Sequence, residues 1–68
     1  MIATKNYEIG FSSPDYAYFE HNKYGDENAG GLWFKDKVLF DYDGVFELDN
    51  EVIAALESKG FNMDYAKD

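Results

Sequence analysis

The sequence predicts a small α+β domain: an antiparallel sheet of three to five strands with one C-terminal helix packed on one face. Three observations carry this. Residues 5–11 and 15–21 alternate between apolar and polar side chains, the period of a half-buried strand. The two runs are separated by the turn signal SSPD. Near the C-terminus, LDNEVIAALESKGF carries helix start and stop signals together.

In TKNYEIGF, Tyr7, Ile9 and Phe11 fall on one face and Asn6, Glu8 and Gly10 on the other. In DYAYFEH, Tyr16, Tyr18 and Glu20 oppose Ala17, Phe19 and His21. The short link through Pro14 makes these strands a hairpin. NKYGDENAGG (22–31) has three glycines and no apolar period, and it reads as an exposed loop. GLWFKDKVLF reads as a second hairpin. A three-residue loop, Lys35-Asp36-Lys37, keeps like with like: Phe34 with Val38, Trp33 with Leu39, Leu32 with Phe40. This hairpin is apolar on both faces, which predicts that it is central or covered on both sides.

The helix expectation rests on local chemistry. Asp49 suits the N-cap, where its carboxylate can accept from first-turn amides. Leu48 and Ile53 occupy the staple positions that fix the chain's entry. Val52, Ile53 and Leu56 form the apolar stripe, and Gly60 suits the residue that closes a helix. Such a short helix is marginal alone, so it must find packing partners. The tail FNMDYAKD is expected to add a short strand or to pack Phe61 and Met63.

Sixty-eight residues bound the chain to a single domain, 1–68. A domain this small buries only about 60% of its unfolded surface, and its stability is correspondingly marginal. There is no Cys, hence no disulfide framework and no thiolate metal site. Six Phe, six Tyr and Trp33 must supply the packing. MIATKNYE has no signal-peptide apolar run and no stretch has membrane-spanning length, so the expectation is a soluble protein of the cytoplasm with no membrane partner.

Net charge is −8, from fourteen acids against six lysines, with no arginine. Phosphates would be repelled, and no basic patch offsets this, so direct nucleic-acid binding is excluded as a reading and a basic partner is favoured. Five acids gather in DYDGVFELDNE: Asp41, Asp43, Glu47, Asp49 and Glu51. Leu39, Asp41, Asp43, Val45, Glu47 and Asp49 share one strand parity; Val38, Phe40, Tyr42, Gly44, Phe46 and Leu48 share the other. Either one bent strand or a three-residue loop Tyr42-Asp43-Gly44, with Gly44 left-handed, would keep the acids on the side away from the core. Laid on the calcium-loop pattern, this stretch has Leu39 and Asn50 where the first and last ligands belong, so no metal and no cofactor is expected. The single histidine, His21, reads as a strand residue, and no catalytic residues are assigned.

DYDGVFELDNEVIAALESKGFNMDY (41–65) resembles the C-terminal part of small acidic proteins encoded by phages and mobile elements. The likeness lies in the acid-rich turn-strand, the EVIAAL helix and the closing Gly-Phe-Asn-Met-Asp, about the last third of the chain. It implies kinship with anti-CRISPR proteins and other DNA mimics, which occupy nucleic-acid channels of host enzymes. The expected function is a non-enzymatic inhibitor of a Lys/Arg-lined host protein, with a CRISPR effector complex as the leading target in the host cytoplasm. Partner-binding candidates are Asp41, Asp43, Glu47, Asp49 and Glu51, with Asp26 and Glu27 of the loop and Tyr16, Tyr18 and Trp33 as anchors. A solvated face is the plain alternative for the acids. Against it stand the absence of lysine from 38 to 58 and the stability that clustered like charges cost. The other functional reading is a small module that homodimerises through a strand edge; monomer and homodimer both stay open.

Overall fold

Local alternation becomes a five-stranded meander. The computed structural model describes residues 1–67: β1 (Ile2–Ala3), β2 (Tyr7–Ser13), β3 (Tyr16–His21), β4 (Gly25–Lys35), β5 (Val38–Tyr42), α1 (Asn50–Glu57) and a short 3-10 turn (Asp64–Lys67). Each strand pairs antiparallel with the next, in the order β1-β2-β3-β4-β5. The α+β class and the strand range expected from sequence agree with this. Among the described residues, no helix is long and apolar enough to cross a membrane.

The first hairpin follows its pattern. Ile9 sits opposite Phe19 and Tyr7 opposite His21, with a bulge between Phe11 and Ser13 at the Pro14 turn. Tyr7, Ile9, Ala17 and Phe19 are buried and join Leu32, Phe34 and Leu39 in one core cluster. Val52, Ile53 and Leu56 of α1, with Leu48 before it and Met63 after it, belong to the same cluster.

Four expectations are corrected. Residues 22–31 are not one loop: the chain turns at 22–24, β4 starts at Gly25 opposite His21, bulges through 26–28, and from Ala29 onward pairs along β3 from Glu20 to Tyr16. The glycines that suggested a loop instead permit close approach. A methyl group on Gly30 would collide with the Asp43 carbonyl, and one on Gly44 with Ala29 and with the Gly30 backbone. Ordinary side chains would push these segments apart.

The second hairpin uses two turn residues rather than three. Lys35 pairs with Val38 and Phe34 with Leu39. Asp36 and Lys37 both take positive φ, 51° and 66°, the geometry of a primed two-residue turn. A bulge between Trp33 and Phe34 of the β4–β5 ladder then leaves Phe40 without a partner and resets the parity, so that Trp33 meets Asp41 and Leu32 meets Tyr42. Leu39 is buried, whereas Val38 and Phe40 are exposed, Phe40 at 53%. This hairpin is not central: β5 is the last strand of the sheet, and the tail runs along its edge, with a parallel bridge from Asn62 to Val38 and the Tyr65 ring against Tyr42.

The acid strip is not a strand either. After Tyr42 the chain is irregular to Asp49, and Phe46, placed by parity with the core, is 98% exposed. Gly44 does take positive φ (90°), as the loop alternative required. It does so to pass against β4, not to return the chain beside β5.

α1 forms as its signals direct. Asp49 caps it by accepting from the Glu51 amide at 2.8 Å. Gly60 (φ 93°) closes it: the Phe61 amide donates to the Leu56 carbonyl and the Gly60 amide to Glu57, the Schellman pair. The Phe61 ring stacks on Phe11 at 5.2 Å and tilts against Phe34 at 4.7 Å.

Replacing Asp36-Lys37 by Asn-Gly should stabilise the domain by about 1 kcal/mol, because both positions require left-handed backbone; the midpoint of thermal unfolding should rise by about 4–8 °C. Gly30→Ala should cost about 3 kcal/mol, since the added methyl meets backbone that cannot swing aside; urea unfolding measures it.

Candidate functional site

The five acids of residues 41–51 do not form one surface. Asp43 extends the β4 ladder: its amide donates to the Gly31 carbonyl at 3.0 Å, and its Oδ1 accepts from the Gly31 amide at 2.9 Å. Asp49 caps the helix with Oδ1 and accepts from the buried Tyr7 hydroxyl with Oδ2 at 3.1 Å. Glu51, half-buried, accepts from the Thr4 hydroxyl, from the Asn6 amide at 2.7 Å and from Asn6 Nδ2 at 2.9 Å. It thereby ties α1 to the β1–β2 connection. These three carboxylates build the fold. Asp41, which accepts only from its neighbour's amide (Tyr42, 2.9 Å), and Glu47 remain turned to solvent.

The titration of this hub follows from its contacts. The Thr4 hydroxyl, then the Asn6 amide and side chain, hold the Glu51 carboxyl below its ordinary value. Burial pushes the Tyr7 phenol up, and its hydrogen bond to the Asp49 carboxylate adds to this. Tyr7 also accepts from Asn28 Nδ2 at 2.8 Å, so its hydroxyl is satisfied on both sides. A shallow polar recess lined by Tyr7, Asn28, Glu47, Leu48, Asp49 and Asn50 opens here. Among the described residues, no group of three or more His, Asp or Glu converges as metal ligands would.

The expected aromatic anchors do come together. Tyr16, Tyr18 and Trp33 lie on the sheet face opposite the core, in adjacent strands: Tyr16 pairs with Trp33 and Tyr18 with Gly31. The Tyr16 and Trp33 rings are 5.0 Å apart. Glycines form the floor beneath them. A methyl on Gly10 would strike the Tyr18 ring, and one on Gly31 would strike the Tyr16 hydroxyl and crowd Trp33. Asp41 joins this face opposite Trp33. So do Glu8 and Glu20, which the sequence reading did not single out and which sit directly across from each other. Their signal was present: both alternate with core residues in the first hairpin, and drawing its register pairs them.

Asp26 and Glu27 lie near the start of β4, in the bulge between Gly25 and Ala29, exposed and without a side-chain partner among the described residues. His21 is absorbed locally. Its Nδ1 accepts from the Lys23 and Tyr24 amides at 3.0 and 3.3 Å, and its ring meets Tyr7 edge-on at 5.0 Å. An apolar groove of about 610 Å³ lies elsewhere, between Ile2, Phe11, Pro14 and Phe61, with Lys37, Lys59, Asp15 and Asp36 at its margins. No family model, curated protein or solved structure matches the chain.

Because the folded state lowers the Glu51 pKa, its stabilisation is complete above the ordinary glutamate value of about 4.5 and is lost as pH falls through the lowered folded value. The stability gap between the wild type and Glu51→Gln, measured by urea unfolding, should therefore shrink as pH is taken from about 6 to about 3.

Proposed function

We propose that this chain is a non-enzymatic acidic binding protein, an inhibitor that occupies a basic, nucleic-acid-binding surface of a host protein in the cytoplasm, with a CRISPR effector complex as the target. One observation carries the reading. Of the chain's fourteen acids, Asp68 alone lies outside the described residues, and among the rest only Glu57 and Asp64 meet a cation, both at Lys67. Fold-building hydrogen bonds account for Asp43, Asp49 and Glu51. Glu8, Glu20, Asp26, Glu27, Asp41 and Glu47 remain exposed with no lysine in ion-pair range.

A domain of this size that keeps so many uncompensated carboxylates gives up stability to self-repulsion. In return it gains a field that steers it to a basic channel and competes with phosphate there. In this reading α1 lies across the inner face of the sheet and leaves the outer face, with Tyr16, Tyr18 and Trp33, to the partner. The homodimer reading has less support, because the outer strands offer little open edge: β1 has two residues, and β5 already bridges Asn62.

The test is competition. The protein should displace DNA from the effector complex in a mobility-shift titration, and its apparent affinity should fall roughly tenfold or more between low and physiological salt. Asp41→Lys combined with Glu47→Lys should weaken it by a similar factor, without the loss of fold that changing Asp43 would bring. Displacement that ignores both salt and these charge reversals would sink the proposal.

A further inference from the structure

We infer that the outer face of the sheet is a docking surface for an arginine-rich segment of the basic partner; this rests on the acidic-binder reading above and names where and by what chemistry it is met. The face is an aromatic layer with a carboxylate margin. Tyr18, Tyr16 and Trp33 lie over Gly10 and Gly31, so the rings settle close to the backbone and leave a low surface. Tyr18 is 42% exposed. The apolar residues of α1 belong to the core cluster together with the inward side chains of the sheet.

Charge complementarity selects the occupant. Glu8 and Glu20 stand directly opposite on adjacent strands, an arrangement that costs stability in the free protein. Asp41 stands across from Trp33 on the far side of the same rings. A guanidinium matches both components of this face. It is planar and weakly hydrated, it stacks on Tyr and Trp, and its fork can bridge two carboxylates. An ammonium is compact and strongly hydrated and gains less from the rings. Bases of a single strand would also stack here, but their phosphates would meet the carboxylates and a net charge of −8. A second copy of the chain has no arginine to offer and would bring the same carboxylates face to face.

Trp33 is the chain's one tryptophan, so its fluorescence reports on this face alone. The probes are nona-arginine and nona-lysine peptides at low salt, with affinity from calorimetry and near-ultraviolet circular dichroism confirming that each variant is folded. Nona-arginine should bind several-fold more tightly than nona-lysine and shift the Trp33 emission. Glu8→Gln with Glu20→Gln should weaken it about tenfold, whereas Asp36→Asn with Asp64→Asn, which removes as much charge elsewhere, should stay within about twofold. Tyr18→Ala should narrow the preference for arginine over lysine. Binding with unmoved Trp33 emission, or equal losses in the two double variants, would overturn this face while leaving the acidic-binder reading intact. Equal affinity for the two peptides would overturn the stacking role. A Trp33 shift that depends on protein concentration without peptide would make the occupant a second copy. No binding of either peptide would overturn both readings together.

Discussion

Gly30 of β4 and Gly44 after β5 approach so closely that neither position has room for a methyl group. Much of the molecule depends on this contact. It lets Asp43 hydrogen-bond Gly31 through both its amide and its carboxylate, so β4 keeps a partner after β5 ends. From there the chain leaves the sheet, buries Leu48 and enters α1 at Asp49. Larger side chains at either glycine would separate the two segments and remove the path by which the helix reaches the core cluster.

A second constraint joins the helix start to the opposite end of the sheet. With no disulfide available, carboxylates serve as staples. Asp49 holds the first turn and the Tyr7 hydroxyl, and Glu51 holds Thr4 and Asn6. Acidic residues suit this place because the amides of a helix N-terminus are unpaired donors with a partial positive charge. The same residues that looked like a binding strip are therefore partly explained by local electrostatics. What the fold does not explain is the remainder: exposed carboxylates beside an aromatic layer on the face away from the core. Concentrating them there is compatible with a stable domain only because the staples and the core lie on other sides of the molecule.

Legibility tracked the range of the interactions. The helix was readable because Asp49, the Val52-Ile53-Leu56 stripe and Gly60 act within a few residues of each other. The first hairpin was readable because alternation is strict from Tyr7 to Phe11. The second hairpin misled because residues 32–34 and 38–40 are apolar at both parities, so matching like with like selected a three-residue loop where the chain uses two. The bulge at Phe40 then turned that ring outward, and Phe46 went to solvent because the chain leaves the sheet after Tyr42 and no strand parity applies there. Asp26 and Glu27 were assigned to a loop for a related reason: glycine marks a flexible turn and a close backbone contact with the same letter.

The sequence by itself determined the α+β class, the helix's N-cap and closing glycine, the core of the first hairpin and the excess of negative charge, all of which follow from composition, local signals and short-range periodicity. Only the tertiary structure decided which acids are structural and which are free, because that depends on partners such as Thr4, Tyr7 and Gly31, twelve to forty-seven residues away along the chain. It also decided that Trp33 and Asp41 join the face on which Tyr16, Tyr18, Glu8 and Glu20 alternate. Register does that, and in the second hairpin register is set by the two-residue turn and the bulge, whose effect appears only when the strands are side by side.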